Sequence, residues 1–234
     1  MTGPAVLHEV PVLDAWDETA ALRALRLAFP PALARAHERV GQVVKIGTEE
    51  GEAFFALASA PGEAEAELLV KRGGRVADSV VARARAGRAL ACTAPFGQGF
   101  PLPEAAGRDV LLFAAGSGIA PIRAVVQAIR RERARYARVI LFHGQRRHDD
   151  FAYRREHPAW EADGVKVVLC PSAEDDPWTG VRGRVQEVAA ATGLGGARPT
   201  EAIAFVAGMT AMVEDVRRTL AGAGVPPGRV HANF

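Results

Sequence analysis

The residues placed to do chemistry in this chain are mostly glycines with small or basic neighbours, set at the ends of apolar runs. Gly116-Ser117-Gly118-Ile119-Ala120-Pro121 directly follows the run DVLLFAA and precedes a stripe in which Ile122, Val125, Val126 and Ile129 recur at helical spacing. Glycine permits a tight turn and close backbone approach, and Pro121 suits the first helical turn, where its missing N–H costs nothing. A helix start so built offers free N–H groups and the positive end of its dipole, a seat for a pyrophosphate. The string departs from the usual GxGxxG at its last position, and an empty strand-to-helix turn has the same residues.

Further groups of the same kind follow. FHGQRRHDDF sets Gly144, Gln145, Arg146 and Arg147 at the end of the next apolar run. Open α/β sheets bind ligands at that edge, so an arginine there meets a phosphate or carboxylate, or else only solvates a loop. Ala207-Gly208-Met209-Thr210-Ala211-Met212 closes another run and opens a last helix, with Thr210 as its expected N-cap. Nearer the N-terminus, FFALAS holds Phe55, Ala56, Leu57 and Ser59. The ring of Phe55 either stacks on a flat ligand or fills the core. Lys71 precedes Gly73 and Gly74 and a short helix, whose start at Gly74, Val76 and Ala77 has the form of a second pyrophosphate seat.

Other chemistries find no support. Cys92 and Cys170 are the only cysteines and form no CxxC pair, so neither a zinc site nor an iron-sulfur cluster is expected and both read as small core residues. Six histidines make no HExxH spacing, and no metal site is predicted. Twenty-nine basic residues against 27 acidic ones leave a formal charge of +2 with no basic block, so no nucleic-acid partner is expected. No segment approaches the roughly 20 apolar residues that cross a bilayer, and no basic stretch followed by an apolar run opens the chain. These features predict no membrane partner and a cytoplasmic location.

The elements that must position these residues change character midway. Extended runs at Val6–Leu13, Ala21–Phe29, Gln42–Ile46, Phe54–Ala58, Glu67–Lys71 and Arg88–Thr93 predict an antiparallel barrel or sandwich, interrupted by a helix near Val76–Ala84. The glycine- and proline-rich PFGQGFPLPEAAG fits neither periodicity and places a boundary near Pro103, dividing the chain into 1–103 and 104–234. Beyond it, continuous apolar runs alternate with helices, including one near Val185 and a last one carrying Met212, Val213, Val216 and Leu220. That alternation predicts an α/β domain with a parallel sheet covered on both faces.

In order and spacing, the pair Gly41-Gln42, FFALAS, APFGQGF, GSGIAP, AGMTAMV and the closing Val230-His231-Ala232-Asn233-Phe234 resemble the ferredoxin-NADP reductase superfamily. The resemblance implies an FAD-binding β-barrel followed by an NAD(P)H-binding α/β domain, with hydride moving between nicotinamide C4 and flavin N5. It assigns the flavin to Phe55, Ala56, Leu57, Ser59, Lys71, Gly74, Val76 and Ala77. It assigns the nicotinamide nucleotide to Gly116, Ser117, Gly118, Ile119, Pro121, Gly144, Gln145, Arg146, Ser172, Gly208, Met209 and Met212.

The chain departs from the family pattern at several of these places. The family's arginine, tyrosine and serine fall on Ala53, Phe55 and Ala56, and its cysteine and proline near the nicotinamide fall on Ala207 and Met209. Weaker FAD retention follows, with Lys71 as the substitute charge. Glu174, Asp175 and Asp176 would repel a 2′-phosphate beside Ser172, which favours NADH. Phe234 matches an aromatic cap on the flavin ring, or is simply a packed C-terminus. The implied partners are a nicotinamide dinucleotide and an electron acceptor, either small or a protein. An electron-transfer subunit of a larger complex, and a degenerate nucleotide-binding or scaffold domain without stable flavin, are the alternatives.

Overall fold

A computed structural model describes residues 6–233 of the chain, so Phe234 and its expected role as ring cap lie outside the described residues. Six strands build the first half: β1 (His8–Asp17), β2 (Leu22–Leu27), β3 (Val43–Thr48), β4 (Gly51–Ala56), β5 (Ala66–Lys71) and β6 (Ala89–Cys92). Their order is β4-β3-β6-β1-β2-β5, with every pair antiparallel. The two ends of that order meet where Leu57 bridges Leu68 and the Ala58 N–H donates to the Glu67 carbonyl at 2.7 Å. This seam closes the sheet into the expected barrel. Alternate residues such as Val10, Val12, Leu25, Leu27, Val44, Ile46 and Leu68 fill its interior.

Two local differences from the sequence reading have physical causes. β1 runs on to Asp17 because its register shifts between Val12 and Asp14, so it pairs first with β6 and then with β2. The shift breaks the apolar–polar alternation, and Asp14–Asp17 then lacks a strand's pattern. The six-residue helix α1 (Pro31–Ala36), which starts on proline at its first position, is too short to show a periodicity. α2 (Arg75–Arg83) lies within a residue of its expected bounds.

In the second half β7 (Asp109–Ala115), β8 (Val139–Gln145), β9 (Val165–Pro171), β10 (Ala202–Ala207) and β11 (Val230–Ala232) form one sheet of order β11-β10-β7-β8-β9. All of its pairs are parallel. Successive residues of β7 feed opposite faces. Val110, Leu112 and Ala114 join a core with α3 (Ile119–Arg131) and Trp160 of α4 (His157–Ala162). Leu111 and Phe113 join another with α5 (Val185–Ala191) and α6 (Thr210–Gly222). The α3 core also takes in Leu22, Ala24, Ala58, Leu69 and Phe100, so the barrel docks on that side, with the Phe100 ring 5.1 Å from Phe205. Both cysteines are buried and free, and burial pushes each thiol up to about 12. No helix among the described residues is long and apolar enough to cross a membrane.

Asp109 opens β7 fully buried at the amino edge of the sheet. Burial opposes its ionisation, but it accepts bonds from Arg198 N, Nε and Nη2 at 2.7, 3.2 and 3.0 Å and from Arg138 N at 3.1 Å. These outweigh the burial and hold the carboxyl at about 2. Asp109→Asn should therefore cost about 3 kcal/mol in urea unfolding at neutral pH. The folded carboxyl lies below its ordinary 3.8, so this contribution is complete above that pH and lost as pH falls toward 2. The gap between wild type and variant must narrow over that window; a gap that does not change with pH would assign the stabilisation elsewhere.

Candidate functional site

All five parallel strands end at one edge, and there a cleft of about 850 Å³ opens against the outer wall of the barrel. That volume lies within the range of roughly 300–1,000 Å³ usual for small-molecule and cofactor sites. Phe54, Phe55, Ala56, Leu69 and Lys71 line it from the barrel; the turns after β7, β8, β9 and β10 line it from the sheet.

Glycine is favoured at those turns by backbone angle or by close packing. Gly116 has φ +59, which lets the chain leave β7 sharply for α3. A Cβ on Gly118 would stand 2.3 Å from the Ala207 carbonyl oxygen, backbone against backbone. On Gly144 it would meet Val185 Cγ1 at 2.6 Å, and on Gly208 Met212 Sδ at 2.5 Å. The strand ends are packed together and leave backbone facing the cleft. Ser117, Pro121, Gln145, Arg146, Ser172 and Met209 line it with them. Met209, rather than Thr210, is the residue before α6, and Thr210 makes no side-chain cap.

Several expected residues lie elsewhere. Leu57 and Ile119 are fully buried in cores. Ser59 is buried, its hydroxyl accepting the Glu67 N–H at 3.0 Å. Gly74, Val76 and Ala77 lie outside the cleft: Val76 and Ala77 pack on the barrel core, and the Gly73 N–H ahead of α2 already donates to Asp78 Oδ1 at 2.9 Å. One N–H at that helix start, that of Gly73, is therefore already taken by the chain's own carboxylate. In β4 the pleat turns Phe55 inward, 9% exposed, and Phe54 outward, 63% exposed. The free ring face in the cleft belongs to Phe54, which meets Phe96 edge-on at 5.9 Å.

Charge in the cleft is predominantly positive. Lys71, Arg146 and Arg184 line it without an ion pair among the described residues, and its one acid, Asp215, is engaged by Arg218 and by Gln186 Nε2. Arg184 carries no sequence signal beyond its position just ahead of α5. Arg147 turns away to grip both oxygens of Asp175 at 3.0 and 3.1 Å. Asp176 is buried, accepting from the backbone N–H groups of His148 at 2.8 Å and Trp178 at 3.0 Å. Its burial alone would raise the carboxyl, yet these bonds and the His148 ring hold it below the ordinary range. Asp175 and Asp176, two of the three acids expected to repel a phosphate, thus face other partners, and none of the three lines the cleft. His143 of β8 and His157 of α4, lowered by burial to about 3 and about 4, have their rings 6.0 Å apart and do not line the cleft. Among the described residues no group of three or more His, Cys, Asp or Glu could hold a metal.

Glycine turns against bare backbone, an outward phenyl face and three free cations fit a dinucleotide with its pyrophosphate and flat rings. A family model of the oxidoreductase NAD-binding domain matches residues 112–218. Ferredoxin–NADP reductase B of Sorangium cellulosum is 30% identical over 217 residues, 85% of this chain and 84% of that protein. The sulfhydrogenase 1 gamma subunit of Pyrococcus furiosus is 33% identical over 193 residues, 79% of this chain but 65% of that subunit's length. A solved ferredoxin NADP+ reductase from Neisseria gonorrhoeae with bound FAD and NADP superposes with a TM-score of 0.82 at 20% identity, over 99% of this chain and 100% of that one.

The glycine contacts predict a contrast. Gly118→Ala should cost about 2–3 kcal/mol in chemical unfolding and open the turn between β7 and β10. Gly74→Ala, at φ −128 with its nearest neighbour 3.9 Å away, should leave stability within about 0.5 kcal/mol. Equal stabilities for the two variants would contradict the packed strand ends.

Proposed function

The chain belongs to the ferredoxin-NADP reductase family, and from that premise we propose that it is an FAD-dependent NAD(P)H oxidoreductase passing electrons to an acceptor. The carrying observation is a single cleft walled on one side by the barrel's Phe54, Ala56 and Lys71 and on the other by the glycine turns of the parallel sheet. Each half would hold one cofactor, the flavin on the barrel wall and the nicotinamide nucleotide on the glycine turns. When bound, the nicotinamide supplies a hydride and the flavin accepts it. The protein's share is placement and exclusion of water. Phe54 offers its face to a flat ring, Lys71 a point charge to a pyrophosphate, and the Gly116–Gly118 turn backbone and a helix start to the nicotinamide nucleotide. Ala53 and Ala207 leave stacking and Lys71 to do more of the holding than the family pattern provides. We place the division between the halves near Pro103, as 1–103 and 104–234.

The acceptor on this reading is a partner protein, in keeping with a relative named as a hydrogenase subunit and another as a ferredoxin reductase. Arg146 and Arg184 favour the 2′-phosphorylated nucleotide over NADH. Backbone bonds hold their loops beside Ser172: the Ser172 and Ala173 N–H groups donate to the Arg146 carbonyl at 3.2 and 2.8 Å, and the Gly183 N–H to the Pro171 carbonyl at 3.0 Å.

Absorption spectra of the purified protein with added FAD, then anaerobic NADPH or NADH, test both points. Flavin bands that bleach with NADPH at about tenfold lower concentration than with NADH are expected. Arg146→Ala with Arg184→Ala should remove that preference and leave NADH binding nearly unchanged. A colourless protein that ignores FAD would instead support the binding-domain alternative, and a preference for NADH would return the choice to the acidic loop.

A further inference from the structure

A guanidinium that the cleft does not use lies buried where the two halves meet. Arg123, in the second turn of α3, is 8% exposed. Its Nη1 donates to the Ala58 carbonyl at 2.9 Å and stands 3.5 Å from Glu67 Oε1. Its Nε donates to both oxygens of Glu156, at 2.9 and 3.1 Å, and its guanidinium lies 4.8 Å over the Tyr153 ring. The partners are themselves fastened. Glu156 also accepts from Gln127 Nε2 at 2.7 Å, and the Tyr153 N–H, at a φ of +60, donates to Glu18 Oε2 at 2.7 Å. The other Glu18 oxygen accepts from Trp16 Nε1 at 2.6 Å. Ala58, Glu67, Glu18 and Trp16 belong to the barrel half; Arg123, Gln127, Tyr153 and Glu156 belong to the sheet half.

Apolar side chains would join two such surfaces with less desolvation, since a buried charge repays its lost hydration only with good geometry and several bonds. What a planar fork supplies beyond adhesion is direction: Glu156 holds Nε within the sheet half and so aims Nη1 at the Ala58 carbonyl across the junction, a bond made at one relative placement of the halves. The ends of the fork are close to the cleft in sequence. Ala58 lies two residues beyond Ala56, which lines the cleft, and Arg123 two beyond Pro121, on the helix that begins at the Gly116–Gly118 turn.

We propose that Arg123 is a positioning residue that sets the distance and angle between the ring-stacking wall of the barrel and the nucleotide turn of the sheet, and thereby the approach of nicotinamide to flavin. The assignment rests on the cleft being the site of hydride transfer. Its signature is a loss of rate and of local order without a matching loss of affinity, because the main surfaces assigned to the two cofactors lie in different halves. Misplacement by an ångström is enough to slow a transfer between two bound rings severely.

The test compares wild type with Arg123→Met, Arg123→Lys and Glu156→Gln in three measurements. These are hydrogen exchange of the ligand-free protein over residues 57–60 and 116–122, affinities for FAD and NADPH, and the anaerobic rate of flavin reduction with its long-wavelength absorbance from stacked rings. Arg123→Met should exchange faster in both segments and reduce flavin about tenfold or more slowly, with a weakened stacking absorbance and affinities within about threefold of wild type. Arg123→Lys, which keeps the charge and loses the fork, should not restore the rate. Glu156→Gln keeps an acceptor for Nε and should show a smaller loss in the same direction, and it carries the test should Arg123→Met fail to fold. Wild-type exchange and rate in Arg123→Met would overturn the proposal, as would a parallel fall of affinity and rate. If wild type binds both cofactors yet never reduces the flavin, the oxidoreductase reading fails by itself. The ligand-free exchange then still decides whether Arg123 sets the placement.

Discussion

A sheet whose strands all run parallel must return each connection across one of its faces, so every strand finishes at the same edge. The rest of this molecule follows from that constraint. Helices α3 and α4 cover one face and α5 and α6 the other, and the strand ends are left bare of helices. There the chain must turn in the space between neighbouring strand ends, and Gly118 against the Ala207 carbonyl shows how little space there is. The barrel docks on the α3 side and brings its own outer wall over that edge, which makes the cleft a property of two surfaces.

Much of this was legible in the sequence because buried parallel strands read as unbroken apolar runs. DVLLFAA, VILFHGQ, VKVVLCP and AIAFVA each became a strand, and the stripe from Ile122 to Ile129 became the sheet-facing side of α3. The turn glycines were legible too, since their residue type is itself the sterically demanding feature. What escaped was direction. Phe54 and Phe55 are the same residue type at adjacent positions, and only the pleat decides which ring turns outward. Arg146 and Arg147 are likewise adjacent, yet one lines the cleft and the other holds Asp175, a choice made by loop geometry that has no period. Arg123 falls among residues that read as the polar side of an amphipathic helix, and its burial comes from the barrel docking onto that side. The short α1 and β11 hold too few residues to show a pattern.

The electrostatics divide in the same way. At the seam the Arg123 guanidinium is enclosed and bonded to Glu156 and to the Ala58 carbonyl, at the cost of desolvation. Burial drives the Glu67 carboxyl up to about 7, with Arg123 pulling the other way. In the cleft the reverse holds: among the described residues Lys71, Arg146 and Arg184 make no ion pair that an arriving anion would have to displace.

The fully buried Asp109, bound by Arg198 and the Arg138 backbone, stands at the opposite end of β7 from the Gly116 turn. One end of the sheet therefore anchors it while the other recognises. Such a division of labour frees the recognition loops to drift: residues such as Arg184 or Met209 can be exchanged without touching the anchor. A lineage can thereby alter which nucleotide or electron acceptor it serves through a handful of substitutions while inheriting its stability intact.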